Sequence, residues 1–340
     1  MLIQKHYTIP IFIPELACPF QCVFCNQQKI SGHVGIPTGD QITKTIDNHL
    51  RTFKRGPKKV EVGFFGGSFT GIPIEEQKSF LKYVQPYIRL EKIQGIRLST
   101  RPDYISVEIL DMLKKFNVTT IELGAQSMDD EVLKKSRRGH TVNKVREAAK
   151  LILDHGFELG LQLMIGLPGD TLEKSVTTAK QIIEAGAGNT RIYPALVIKG
   201  TLLHTWYEQG KYKPLSLDEA VSWTKNILPL FEDARVDVLR VGLHPSEGLL
   251  SGEELVDGPF HPSFKELVLT DIWNEILQKN LEQIEYNKIE IHVHPREINY
   301  AIGYNSKNRN LLLDRFEKVK FIADDSLAGR VFKVVNSKNY

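Results

Sequence analysis

From the N-terminus to about residue 200, short apolar runs alternate with longer amphipathic stretches. The runs at 7–13, 59–65, 95–99, 118–125, 158–165 and 190–197 read as strands, each too short for a helix of ordinary length. Between them, 40–54, 74–89, 105–116, 129–155 and 170–186 carry helical spacing. In IEEQKSFLKYVQPYI, for example, Phe80, Leu81, Val84 and Ile88 fall on one stripe, the mark of a helix with one face buried.

Strand and helix in strict alternation predict successive βαβ units and a parallel sheet. Right-handed crossovers turn every unit the same way. Six units make a sheet that is open or partly closed, and a full barrel needs eight; periodicity alone does not separate the two. After residue 200 the pattern changes. Helices at 201–209, 216–233 and 264–283 follow one another, with β-like runs at 236–242, 287–293, 318–322 and 330–335. The expected organisation is therefore an α/β domain over 1–200 and an α+β extension over 201–340 packed on it.

Composition adds one decisive fact. The chain has 340 residues, 41% hydrophobic and 25% charged, with a formal net charge of +3, as an ordinary globular protein has. The start MLIQKHYTIPIFIPEL lacks a small-residue cleavage site, and no run reaches the ~18 apolar residues of a membrane helix. The expectation is a cytoplasmic protein without a membrane partner. All three cysteines lie within CPFQCVFC. An odd, tightly spaced trio in such a chain argues for a metal and against a disulfide framework.

The trio Cys18, Cys22 and Cys25 follows the first strand directly, at the sheet edge where ligands gather in α/β folds. Thiolates suit zinc or iron–sulfur clusters. Structural zinc wants a fourth ligand, for which His33 is the nearest candidate. Three thiolates on a four-iron cube leave one iron open. The C-x3-C-x2-C spacing, with Phe24 before the last cysteine, resembles the radical S-adenosylmethionine (SAM) signature. That resemblance implies a 4Fe–4S cluster whose open iron is chelated by SAM, with the protein positioning the cofactors. It also implies a low-potential electron donor of the flavodoxin or ferredoxin type.

The later strand ends offer partners for SAM. Gly66-Gly67-Ser68 follows the second strand, and glycines let backbone groups approach a ligand closely; an ordinary turn with Ser68 as helix cap is the plain alternative. The third strand ends at Ser99, the fourth at Gln126, and a basic run with Lys134, Lys135, Arg137, Arg138 and His140 follows. One arginine there suits the SAM carboxylate, the others a solvated face. The fifth strand ends in Met164-Ile165-Gly166, apolar residues and open backbone that suit an adenine.

Five blocks in order, CPFQCVFC, FFGGSFTGIP, STRPDYI, IELGAQSMDDEVLKKSRRGHT and MIGLPGDT, resemble the radical SAM domain of the Elongator catalytic subunit. RIYPALVIKGTLLHTWYEQGKY extends the likeness, which covers roughly 8–243. The remainder, including VGLHPSEGLLSGEELVDGPFHPSF, is similar to a stand-alone bacterial branch of Elongator-like proteins. The resemblance implies a partial (βα)6 TIM-like barrel. It places Gly66, Gly67 and Ser68 at the SAM ammonium, Gln126 and Arg138 at ribose and carboxylate, and Met164, Ile165 and Gly166 at the adenine. A looser likeness runs to oxygen-independent coproporphyrinogen oxidase. Ser99 replaces a glutamate of many relatives, and Gln162 stands where the porphyrinogen oxidases carry aspartate. No pyrophosphate loop of the acetyl-CoA type follows residue 243, so acetyl transfer is not expected. With no fourth cysteine an auxiliary all-cysteine cluster is excluded;.

Basic residues cluster at 51–59, at 134–150 and from 307 to the end, a pattern that fits phosphate contact or scattered solvated faces. His292 and His294 alternate on a predicted strand and raise the idea of a second metal; Arg240 and His244 are candidates for the cavity wall. The expected activity is hydrogen-atom abstraction on an RNA base, with tRNA as the candidate partner. The alternatives are a small-molecule or tetrapyrrole substrate, and a non-catalytic cluster-bearing RNA-binding protein.

Overall fold

The computed structural model describes residues 5–13, 22–26, 35–54, 56 and 58–337. Six strands follow the predicted order: β1 (Lys5–Ile13), β2 (Lys58–Gly66), β3 (Gly95–Thr100), β4 (Val118–Gln126), β5 (Glu158–Ile165) and β6 (Asn189–Pro194). Two-residue β7 (Val197–Ile198) pairs antiparallel with β9 (Leu255–Asp257), and β8 (Asp237–Val241) lies between them in sequence. One sheet runs β1-β2-β3-β4-β5-β6-β8, and all its pairs are parallel. Because the order never reverses, every crossover turns the same way and the sheet curls into a partial TIM-like barrel.

Most of the crossover helices are started by a capping side chain, the helix at 74–89 behind Pro73 being an exception. Thr38 forms a capping box with Gln41, and Ser106, Asp129, Thr141 and Thr171 each accept a backbone N–H at the third helical position. These caps satisfy donors that would otherwise be orphaned, worth about 1 kcal/mol each. They also fix where the loops on the C-terminal edge of the sheet end.

Three differences from the sequence reading have physical causes. The stretch 129–155 is two helices, Asp130–Lys135 and Val142–Asp154, broken where Arg137 and Gly139 take φ of 52° and 75°. The helix at 74–89 buries Phe80, Leu81 and Val84 as expected, with Ile88 half-buried near its end. The run 236–242, read as part of the extension, supplies β8 and pairs with β6. Contact density divides the chain into residues 1–216 with 227–260, and 217–226 with 261–340. The break thus lies well past residue 200, because β8 needs β6 to satisfy its backbone.

Inside the first unit the inward side chains are charged where a barrel interior is ordinarily filled with branched apolar residues. Glu61, Arg97 and Glu122 are at most 1% exposed. Arg97 donates to Glu61 Oε2 at 3.2 Å and to Glu122 Oε1 at 2.9 Å. Arg191 meets Glu122 at 2.6 and 3.1 Å, and Gln162 donates to the same carboxylate at 3.0 Å. Burial pushes both carboxyls up, but hydrogen bonds from His6 and Arg191 and the charges of Arg97, Lys59 and Arg191 outweigh it. Both are held well below the ordinary range.

The second unit contains the helix Phe264–Leu281, β10 (Lys288–Val293), β11 (Lys318–Ala323) and β12 (Phe332–Asn336). Its core gathers Trp273, Leu277, Ile289, Ile291, Val293 and Phe316, and the Trp273 indole donates to Glu297 at 2.9 Å. His292 lies on β10, whereas His294 lies past its end and accepts from the Arg296 N–H. Among the described residues no group of three metal-ligating side chains occurs, so the paired-histidine idea gains no support.

Replacing Arg97 with methionine should destabilise the protein by about 3–5 kcal/mol, because two carboxylates lose their shared counter-charge in the interior. Both carboxyls are depressed from the ordinary value of 4.5. Their contribution is therefore complete above that pH and is lost as pH falls below it. The penalty, measured by urea unfolding, should be largest near neutrality and shrink in acid.

Candidate active site

The ends of β4 and β5 lie beside the described part of the cysteine loop, and the ends of β1, β2 and β3 meet around a small pocket. Cys18 lies outside the described residues; Cys22 is buried and Cys25 half-buried. The two are drawn into a tight turn by the Cys25 N–H donating to the Cys22 carbonyl at 3.0 Å. Val23, between them, donates to the Ser136 carbonyl and accepts from the Leu203 N–H at 2.7 Å. Phe24 is buried, and Cys22, Phe24, Leu167 and Leu203 form one apolar cluster with Cys25 and Met164 at its margin.

Of the five basic side chains after β4, Arg138 is the one turned inward toward the loop. It is 6% exposed. Its Nη1 donates to Cys22 Sγ at 3.0 Å and its Nη2 to the Gly124 carbonyl. Arg101, bound to Asp103 at 2.9 and 3.0 Å, donates to the Arg138 carbonyl. Burial and these two arginines push the neighbouring His140 down to about 4, so it is neutral near pH 7. Lys134, Lys135 and Arg137 are exposed.

Gln126 sits on the other flank of Gly124: a Cβ added there would lie 2.9 Å from Gln126 Nε2 and 3.3 Å from Arg138 Nη2. Gln126 adopts φ of 68°, an uncommon state for a residue with a side chain. Its Oε1, like Arg138 Nε, is buried with no partner. Buried polar atoms are normally satisfied, so these two stand out.

Gly66, Gly67 and Ser68 form the second wall. Gly66 has φ of 117°, and a Cβ there would stand 2.2 Å from the Ile13 carbonyl oxygen. Only glycine fits where β2 crosses the exit of β1. The Gly67 N–H donates to that carbonyl at 3.0 Å. Gly67, Ser68 and Ser99 line a small pocket with Ile13, Phe65 and Phe69. Ser68 precedes the turn Phe69–Gly71 without a side-chain capping bond, so its hydroxyl is not used as a cap. The Ser99 hydroxyl accepts from Gln162 at 3.3 Å. The two positions that depart from relatives are therefore direct neighbours.

Met164 is half-buried on the inner side, whereas Ile165 is 0% exposed and packs into the core. Only the backbone of Ile165 is available to an adenine, and its carbonyl already accepts from Ala195. Gly166 is gripped at both ends. Its N–H donates to Asp170 at 2.9 Å, and its carbonyl accepts from the Tyr212 hydroxyl at 2.7 Å. Asp170 also accepts from Ser175 at 2.7 Å. Burial raises the Asp170 carboxyl to about 6 despite those bonds. The sequence reading missed Asp170 and Tyr212 as supports of this turn. The signal for Asp170 was an acid directly after Gly-Leu-Pro-Gly and just before a helix; Tyr212 gives none.

The sequence matches the Radical SAM superfamily profile over residues 13–182 and the Radical_SAM C-terminal domain profile over 189–274. It is 31% identical over 232 residues to an uncharacterized protein of Methanocaldococcus jannaschii, covering 64% of this chain and 70% of that one. It is 33% identical over 263 residues to the tRNA uridine(34) acetyltransferase of Methanocaldococcus infernus, covering 65% of this chain. The chain spans about half, 49%, of that enzyme's length. The fold is shared with the archaeal Elp3 of Methanocaldococcus infernus, solved without residues 1–46. The TM-score is 0.62 at 23% identity, over 82% of this chain and 64% of that one.

Asp170 gives a pH test. Its folded value near 6 exceeds the ordinary 3.8, so this group adds stability as pH falls from about 6 toward 4 and penalises folding above 6. Asn in its place keeps an acceptor for Gly166 and removes the charge. Relative to wild type, Asp170→Asn should gain about 3 kcal/mol in urea stability between pH 4 and pH 8. A pH-independent difference would show that the carboxyl is not perturbed.

Proposed function

Because the chain belongs to the radical SAM superfamily, whose enzymes use a 4Fe–4S cluster and SAM, we propose that Cys18, Cys22 and Cys25 hold the cluster and that the enzyme modifies a tRNA base. The observation that carries the site assignment is the Arg138 guanidinium on Cys22 Sγ, at 3.0 Å. The contact sets a buried guanidinium beside a cysteine of the proposed cluster loop. The residues present fit both groups: Gln126 Oε1 and Arg138 Nε are buried without a partner, and Gly67, Ser68 and Ser99 line a small pocket.

When bound, the cluster would be held by Cys18, Cys22 and Cys25 and would supply the electron for reductive cleavage of SAM. The chain's own residues do the positioning. Arg138, whose Nε is without a partner, offers a cationic donor to the SAM carboxylate;. Gly66, Gly67 and Ser68 offer backbone groups and a hydroxyl to the ammonium, and Gln126 offers its amide to the ribose. Met164, Phe24 and the clamped Gly166 peptide form an apolar wall with fixed polar edges, which suits a purine. Ser99 and Gln162 stand deeper, on the charged interior, where a polar substrate group is accommodated. A low-potential flavodoxin or ferredoxin is the proposed electron source.

The tRNA reading is supported by the relative named for tRNA uridine(34) and by exposed Lys134 and Arg137 beside the site. No helix of the described residues is long and apolar enough to cross a membrane. The reading is tested with anaerobically reconstituted protein. Cys22→Ala should lose the broad iron–sulfur absorbance and all 5′-deoxyadenosine formation. Arg138→Gln should keep iron but bind SAM at least roughly 10-fold more weakly, as loss of a charge-assisted bond of about 1.5–3 kcal/mol requires. In the wild type, deuterium-labelled tRNA should pass label into 5′-deoxyadenosine; label arriving only from metabolite extracts would move the substrate to a small molecule.

A further inference from the structure

The ionic interior of the barrel ends in two neutral side chains, Ser99 and Gln162, whose hydrogens chemistry alone can place. Arg97 and Arg191 grip Glu122 between them, and its carboxyl lies below the ordinary range. An ionised carboxylate only accepts. The Gln162 amide, 3.0 Å from Glu122 Oε2, must therefore face it through Nε2. The second Nε2 hydrogen goes to Ser99 Oγ at 3.3 Å. Both amide hydrogens are then spent, and Oε1 points away from the carboxylate. That oxygen accepts from no described residue, and it is not sealed in as Gln126 Oε1 is. Ser99 Oγ already accepts, so its own hydrogen is left over, and no described residue takes it.

The result is a free acceptor beside a free donor, both held in place, where the interior opens. Ser99 pairs in register with Glu122, and Gln162 with Arg191. Ser99 and Gln162 are half-buried, whereas Glu61, Arg97 and Glu122 are closed off. Gln162 reaches from β5 to β3 across β4, whose next residue on the inner face is Gly124. The space over Gly124 is bounded by Gln126 and Arg138, at 2.9 and 3.3 Å from where a Cβ would stand. Bare backbone thus lies between the pair and the two groups proposed for SAM. Phe65 lines the same small pocket as Ser99, and the Arg191 guanidinium lies 5.1 Å from the centre of its ring. Those planes offer a surface of the kind on which unpaired bases stack. A side chain needed only to satisfy Glu122 could be lysine or arginine; glutamine adds an acceptor that the interior does not use.

We infer that Ser99 and Gln162 read the base-pairing edge of one unpaired RNA base, as uracil presents it: the Ser99 hydroxyl donates to a ring carbonyl, and Gln162 Oε1 accepts from the adjoining ring N–H. The inference deepens the tRNA reading above and rests on it. Because Nε2 is tied to Glu122, the amide cannot turn over and offer a donor in place of the acceptor. A site with fixed polar groups rejects a ligand that leaves one of them unpaired. In a duplex this edge is already occupied, so the base must come from a loop or be extruded from its stack.

The test is fluorescence anisotropy of the cluster-loaded, SAM-bound enzyme with tRNA and with two labelled RNA hairpins. Each hairpin has a single uridine in an adenosine loop, and in the second that uridine is methylated at N3. The wild type should bind the methylated hairpin roughly 10-fold more weakly, and Ser99→Ala should weaken the unmodified one roughly 3- to 10-fold. Iron content and the urea midpoint of Ser99→Ala should stay those of the wild type. Gln162→Met should bind both hairpins alike, at the wild-type affinity for the methylated one, a loss of discrimination that general damage does not imitate. If the wild type binds RNA without distinguishing the hairpins, or Gln162→Met still distinguishes them, the edge assignment is wrong and the tRNA reading stands. If the wild type binds neither the hairpins nor tRNA, both fall.

Discussion

Two carboxylates and two guanidiniums alternate through the interior of the curled sheet and tie together four of the strands from which the active-site region is built. Glu61 on β2, Arg97 on β3, Glu122 on β4 and Arg191 on β6 each touch the next. Any one of them alone would be expelled or neutralised by desolvation; together they are satisfied. Because an apolar interior of the same volume would hold the sheet as well, the charges are better explained by what lies at their end. Gln162 hydrogen-bonds both Glu122 and Ser99, and Ser99 lines the pocket beside Gly67 and Ser68. The ionic interior is therefore continuous with the wall of the active site.

Arg138 performs the corresponding task on the rim. The turn that carries it needs Arg137 and Gly139 in left-handed states, which breaks the helix and lets the side chain reach back over the end of β4. From there one guanidinium binds a carbonyl of the sheet and a sulfur of the cysteine loop. The cysteine loop and the end of β4 are thus held by a single side chain.

The sequence carried the strands clearly, because buried parallel strands must be apolar runs and the helices between them must have one apolar face. Cysteine spacing carried the cofactor class, since few sites need three thiolates so close together. What stayed illegible depends on contacts between distant residues. Nothing near residue 237 shows that β8 will pair with β6. Nothing in LKKSRRGHT shows which arginine turns inward, because the choice follows from the left-handed turn at 137 and 139. Ile165 and Met164 look alike in an apolar run, yet strand alternation sends one to the core and the other to the cavity. Tyr212 reaches Gly166 across 46 residues, a distance over which no local pattern operates.

Net charge was a poor guide for a related reason: a surplus of +3 says nothing about which cations remain free. Lys135, Lys144 and Lys150 are each matched by a carboxylate one turn away, and Arg97, Arg138 and Arg191 are committed to the interior. Lys134, Arg137, Arg296 and Arg309 are exposed with no carboxylate pair among the described residues, and so are Lys44, Arg51, Lys82, Lys92, Lys180 and Lys265. A polyanion is attracted by such unpaired charges rather than by the total, since paired ones release few counterions on contact. The total therefore does not locate a polyanion, because exposed cations without a carboxylate pair are spread over both units of the chain.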